Sequence, residues 1–235
     1  MNGYGFLAIW TDIDAEHLSE YRRWLSQEHI GQRIFGSGFL GARVHAAIGD
    51  ELSHFILYAT EDSQTLQSDA YLHVLNNPTP WTQRMMPRLR NFDRGAGIQV
   101  AKVGDGSGAW LLACRIFTPP LALTGRALEM QLGSFLDIEG VVTVRLLVVD
   151  RSSTDIPSTE KAIRSGNEGA FHLLLVVEAT AAAPLKDAQD RLAGILHLLV
   201  GPAARHDAGL YQNVYSLFPF ERETTASSDF SQAAR

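Results

Sequence analysis

Side chains able to move a proton or hold an oxyanion gather in the first third of the sequence. His29 follows Glu28 at the end of a helical stretch, Asp14 to His29, in which Leu18, Tyr21 and Leu25 share one face. A helix C-terminus favours an imidazolium. His29 is therefore a candidate general acid/base, or a donor to a substrate oxygen. The competing reading is a capping histidine packed under residues 31–38. Glu28 is a poor partner for it, because adjacent helical residues do not face each other. A second group is Arg43, His45, His54 and Tyr58. If Gly49-Asp50 is a two-residue hairpin turn, His45 falls opposite His54 and Arg43 opposite Ile56. Alternation then puts Arg43, His45, His54, Ile56 and Tyr58 on one face, and the more apolar Ala42, Val44, Ala46, Phe55 and Leu57 on the other. Arg43 or Arg33 would hold a carboxylate or an oxyanion, while His45, His54 and Tyr58 would orient a substrate. Two cross-strand histidines are metal ligands by type, but no third ligand stands at a suitable spacing, so no metal site is expected. A one-residue slip in register would dissolve the group. Phe6 and Trp10, with Tyr4 and Ala8, form a third set: an apolar wall, or simple core. Trp81, behind Asn77-Pro78-Thr79-Pro80, is a candidate lid or edge.

These residues need elements to place them, and the pattern of elements occurs twice. Tyr4–Thr11 and Ala109–Thr118 are short apolar strands, each followed by a helical stretch. Strand pairs come next: Phe39–Ile48 with Leu52–Thr60, then Val141–Asp150 with Ala170–Thr180. The connection Arg151–Gly169 is polar and Ser/Thr-rich, and reads as a mobile loop. Second helices (Asp62–Leu75, Pro184–Val200) and closing strands (about Gly97–Val103, Leu210–Phe218) complete each half. The order β-α-β-β-α-β is the ferredoxin-like plan. It leaves one face of each sheet bare, and a bare apolar face must be covered. The expected fold is α+β: two tandem ferredoxin-like repeats, 1–104 and 105–220, whose antiparallel sheets pack as an intramolecular eight-stranded barrel. Gly104-Asp105-Gly106-Ser107-Gly108 is the linker, and 221–235 a frayed tail.

The first half resembles the EthD-like branch of the dimeric α+β barrel superfamily. Trp24-Leu25-Ser26-Gln27-Glu28-His29-Ile30 is similar to that branch's W-x-x-x-E-H pattern, and Gly38-Phe39 opens strand two as it does there. Ser68-Asp69-Ala70-Tyr71 and Asn77–Thr82 add to the likeness, which covers roughly residues 5–103. The second half has no Glu-His at Leu132–Asp137, so it is expected to serve as a structural partner. The resemblance implies a cofactor-free enzyme using acid/base chemistry on a small, partly apolar aromatic or polyketide-like metabolite. Isomerases, cyclases, lyases and monooxygenases all fall in that range. A non-catalytic binding or accessory protein is the alternative. A haem protein is the minor one, with His172, His197 or His206 as the proximal ligand.

Composition narrows the partners. The chain has 235 residues, with 20 basic against 26 acidic side chains. An acidic balance argues against nucleic acid. Arg84, Arg88, Arg90 and Arg94 could hold a small anion, but ion pairs on a solvated helix end are the favoured reading. The single cysteine, Cys114, lies in an apolar run and excludes an internal disulfide. No apolar run reaches membrane-spanning length, and no signal-peptide pattern precedes Tyr4. A cytoplasmic protein with a small-molecule ligand is expected, with room for homodimerisation through an outer helix face.

Overall fold

The computed structural model describes residues 4–36, 38–121, 125–164, 167–168 and 171–222. Most of the expected tail, 223–235, lies outside them. A near-continuous apolar run makes β1 (Gly5–Asp12) a strand buried on both faces. A long helical segment follows, built from α1 (Leu18–Trp24), one π-turn (Leu25–His29) and α2 (Ile30–Ile34). Then come β2 (Phe39–Ala47), β3 (Asp50–Thr60), α3 (Asp69–Asn76), α4 (Pro80–Met85) and β4 (Arg90–Gly104). The second half runs β5 (Trp110–Ile116), α5 (Arg126–Ser134), β6 (Val141–Val149), α6 (Arg151–Thr154), α7 (Thr159–Ile163), β7 (Asn167–Glu168), β8 (Leu173–Ala179), α8 (Ala183–Val200) and β9 (His206–Leu217).

The strand order β1-β3-β2-β9-β5-β8-β6-β4 returns to β1 and closes an eight-stranded antiparallel barrel. Two seams join the halves. One is β2 on β9. The other is β4, whose first part pairs with β1 and whose last part pairs with β6. The expected strand Gly97–Val103 is thus only the end of a much longer one. Glycine makes the lumen packable at one point: a Cβ on Gly95 would lie 2.2 Å from Cζ of Phe171. Phe6, Ala8 and Trp10 point into the lumen as alternation predicts, meeting Phe55, Leu111, Leu174 and Tyr211.

Outside the barrel, the two helix-covered faces differ. In the second half, Leu128, Leu132, Ile195, Leu196 and Leu199 pack on Leu112, Cys114, Leu146 and Leu175. Each such residue contributes about 1.5–3 kcal/mol on burial, and this face is core. Burial pushes the Cys114 thiol up to about 12, so it is an inert packing group there. In the first half the corresponding space also takes in His29, Arg33, His54, Arg94 and the hydroxyls of Tyr21 and Tyr58. The asymmetry marks where chemistry can sit. Among the described residues, no helix is long and apolar enough to cross a membrane.

Candidate functional site

The helix carrying Trp24, Glu28 and His29 is held at defined points. Trp24 Nε1 donates to Thr82 Oγ1 at 3.1 Å, and Glu28 Oε1 accepts from Thr79 Oγ1 at 2.6 Å. Glu28 therefore anchors the helix to α4 instead of serving His29. The amide of Ile30 donates to the carbonyl of Leu25, an i to i−5 bond. Such π-turns recur at functional sites because they re-aim side chains from one face of a helix. Here the turn ends on His29, which is 5% exposed with its ring 3.9 Å from that of Trp24. The helix continues to Ile34, so the expected position of His29 at a helix terminus is corrected. No terminal dipole favours its cation. Burial, helped by the Arg33 charge, pushes its pKa well below the ordinary histidine range. It is a neutral base at pH 7.

Between this helix and the sheet lies a small, partly open cavity of about 40 Å³, lined by Ile9, Leu25, Ile56, Leu75, Leu89 and Phe92 and, on the strap side, by Arg33, Glu160, Lys161 and Arg164. Three lining side chains have buried polar atoms without a hydrogen-bond partner among the described residues: His29 Nδ1, Tyr21 Oη and Arg94 Nη2. The hydroxyl of Tyr58, on the same sheet face, is also unpartnered. Burial pushes both tyrosine pKa values up, so both are neutral donors. Buried polar groups are nearly always bonded, and a cluster of exceptions calls for an explanation.

The second half supplies the cover. The connection expected to be a mobile loop forms α6 and α7, and residues 151–164 cross onto the first half as a strap. Both carboxylate oxygens of Glu160 accept from Arg33 Nη2, at 2.6 and 2.7 Å, and both side chains are buried. Thr154 Oγ1 accepts from the amide of Ala96 and donates to its carbonyl. The Arg164 guanidinium lies 3.8 Å from the centroid of the Phe92 ring and pairs with Glu168. Removing one partner of a buried ion pair strands the other charge, at about 3–5 kcal/mol. Glu160→Gln is therefore expected to free the strap. Amide exchange over residues 159–164 should rise at least about tenfold, with β5 and β8 unchanged. Unaltered exchange would mean that something other than Arg33 holds it.

The predicted site residues divide between the two sides of the sheet. His29 and Arg33 line the cavity. His54 and Tyr58 lie on the same sheet face, with His54 against the Tyr21 ring at 4.9 Å. Arg43 and His45 point the other way, toward the lumen, with Phe6 and Trp10. The expected single face of Arg43, His45, His54 and Tyr58 is thus corrected. The reason is a bulge: Ala47 pairs with Asp50 while Ala46 pairs with His54, so the body of the hairpin runs Arg43 opposite Leu57 and His45 opposite Phe55. That is one residue from the expected register. His45 is fully buried, its Nδ1 3.2 Å from the Phe55 carbonyl and its Nε2 unpartnered among the described residues. Trp81 lines no part of that cavity; it packs half-buried against the first-half core, with the Arg23 guanidinium 5.9 Å from its ring. Trp24 takes the aromatic place beside His29. In the arginine run, Arg88 pairs with Glu20 and Arg90 with Asp14. Arg94 alone turns inward, 3.7 Å from Glu168. Sequence reasoning read Tyr21 only as part of a helix face, and weighed Arg94 only within the arginine run as a holder of a small anion. The signal for Arg94 was its place beside Gly95-Ala96-Gly97, a strand too poor in side chains to be read as one. Of the proposed haem ligands, His197 and His206 are exposed and His172 is half-buried, none of them in the cavity. Among the described residues no group of three or more His, Cys, Asp or Glu converges as a metal ligand set.

No family model matches the sequence, and no curated protein does. Solved structures match over nearly the whole chain. An anthrone oxidase-like protein superposes with a TM-score of 0.62 at 12% identity, covering 97% of this chain and 98% of that one. A monooxygenase-like protein from Fusobacterium nucleatum gives 0.53 at 9% identity, with 92% and 95% covered. Another from Lactobacillus acidophilus NCFM gives 0.52 at 5%, with 92% and 97% covered. At these identities the likeness is one of fold. With its closed barrel of two ferredoxin-like halves, the chain has the fold of the dimeric α+β barrel superfamily, completed within a single polypeptide.

Proposed function

We propose that this chain is an enzyme that acts by acid/base chemistry of its own side chains on a small, flat, partly apolar molecule of phenolic or polyketide type, bound between the first sheet and its helices. One observation carries the reading: His29 Nδ1, Tyr21 Oη and Arg94 Nη2 are buried and unpartnered among the described residues, on three side chains that line one cavity. Neutral His29 takes a proton from an acidic C–H or O–H of the substrate. The electron pair moves onto the substrate oxygen, where the Arg94 guanidinium and the Tyr21 hydroxyl hold the developing charge. Anthrone, which names one structural neighbour, has such a C–H, acidified by a carbonyl across the ring. A tricyclic ligand exceeds the 40 Å³ of the cavity, so admission requires the strap to swing outward.

The test is solvent deuterium exchange into anthrone at its acidic carbon. Wild type should accelerate it, and His29→Ala should lower the enzymatic rate by about 10²–10⁴-fold. The rate should stay level from pH 8 down to 6, because His29 remains neutral there. Arg94→Met should weaken binding. Exchange as fast in His29→Ala as in wild type would overturn the assignment. Binding without accelerated exchange would favour the non-catalytic binding protein that the same cavity supports.

A further inference from the structure

The barrel lumen has an opening on the other side of the first sheet from His29. There the lumen widens into a cavity of about 350 Å³, walled by Phe6, Leu57, Leu147 and Phe218. Arg43, Arg145 and Lys102 also line it. The two arginines share one carboxylate. Glu178, fully buried, accepts from Arg43 Nη1, Arg145 Nη1 and, at 2.9 Å, the amide of Gly108. Lys102 lies 3.3 Å from the exposed Asp105. Two guanidiniums against one carboxylate leave one positive charge without a partner among the described residues. The carboxylate is sealed, whereas Arg43 and Arg145 keep 14% and 19% of their side-chain surface open. Burial holds both arginine pKa values below the usual range, that of Arg145 at about 10. A charge stranded in this way is costly unless a counter-charge arrives.

We propose that this mouth is a second small-molecule site, which takes a monocarboxylate with an apolar body. One surplus positive charge matches one negative charge, and a guanidinium fork matches a carboxylate. The volume and the aromatic and aliphatic walls match a compact hydrocarbon. The site is separate from the helix-side cavity, so its occupancy does not depend on the chemistry of His29.

Calorimetric titration with 2-naphthoate tests the assignment, with 2-naphthylmethanol as the uncharged control. Wild type should bind the acid at least tenfold more tightly than the alcohol. Arg145→Met keeps the Arg43–Glu178 pair and removes the surplus charge. It should weaken naphthoate at least tenfold while its melting temperature holds or rises, which a purely structural arginine would not allow. His29→Ala should bind naphthoate as wild type does. Equal binding of acid and alcohol, no binding by wild type, or full affinity in Arg145→Met would each overturn the proposal. Loss of naphthoate in His29→Ala with retention in Arg145→Met would also overturn it, by placing the anion in the helix-side cavity.

Discussion

Glu178→Leu should be among the most destabilising single substitutions in the chain. The wild-type carboxylate sits in the sheet between two guanidiniums. Removing it leaves both arginines facing each other in the lumen wall with one amide unpartnered. Stranding a buried charge by removing its only counter-charge costs about 3–5 kcal/mol. For a chain of this length that corresponds to a fall of roughly 6–20 °C in melting temperature. The triple variant Arg43→Met/Glu178→Leu/Arg145→Met should recover most of the loss, because no stranded charge remains. Thermal denaturation of the two variants beside wild type decides the matter. A triple variant no more stable than Glu178→Leu would mean that Glu178 acts through packing or the Gly108 contact, not through charge.

Acid should unfold the protein unusually early. His29, His45 and His54 are all buried and all held below the ordinary histidine range by desolvation, His45 at about 3. Nearby cations add to the effect: Arg33 for His29, Arg43 for His45 and Arg22 for His54. Carbonyl contacts to His45 and His54 oppose it without reversing it. A depressed folded pKa means that the unfolded chain binds protons first. The stability from each neutral imidazole is complete above about pH 6.5 and declines as pH falls toward the folded value. Each group contributes a slope of about 1.4 kcal/mol per pH unit, and three in parallel about 4. A typical total stability of about 5–15 kcal/mol would then be spent within roughly one to four units. The midpoint of unfolding is expected between about pH 5 and 3. His45→Phe keeps an aromatic ring beside Phe55 and should flatten the slope by about a third. Chemical denaturation at pH 7, 6 and 5 measures it, and a variant whose stability tracks wild type across that range would refute the role of His45.

Part of this was readable before the structure. Period-two alternation placed Phe6, Ala8 and Trp10 on one face of β1, and the repeated order of elements implied the barrel. The hairpin faces were not readable. Whether β3 presents His54 or Phe55 to the lumen depends on a bulge at residues 51–53, and nothing local in Glu51-Leu52-Ser53 announces one. The π-turn is equally silent, since Leu18, Tyr21 and Leu25 fit an ordinary helix. The strap looked like a loop because its order comes from partners far away in sequence. Glu160 is held by Arg33 and Thr154 by Ala96, and a Ser/Thr-rich segment shows no periodicity of its own. Tyr21 read as core because its ring is core, and nothing in its spacing announced a buried hydroxyl without a partner among the described residues.

The β2–β9 seam also governs how the chain must be made. Ala42 pairs with Leu217, so β2 leaves the ribosome long before its neighbour exists. At about 5–20 residues per second the nascent edge waits roughly 10–30 s. During that interval the first sheet presents an unpaired, largely apolar strand, the kind of surface on which chains associate wrongly. Contacts this distant in sequence also slow the final closure. A ribosome stalled before β9, or a transcript cut short there, would release a product with two open edges, at β2 and β5. The cell's exposure to aggregation is thus set by the last dozen residues of the barrel to be translated.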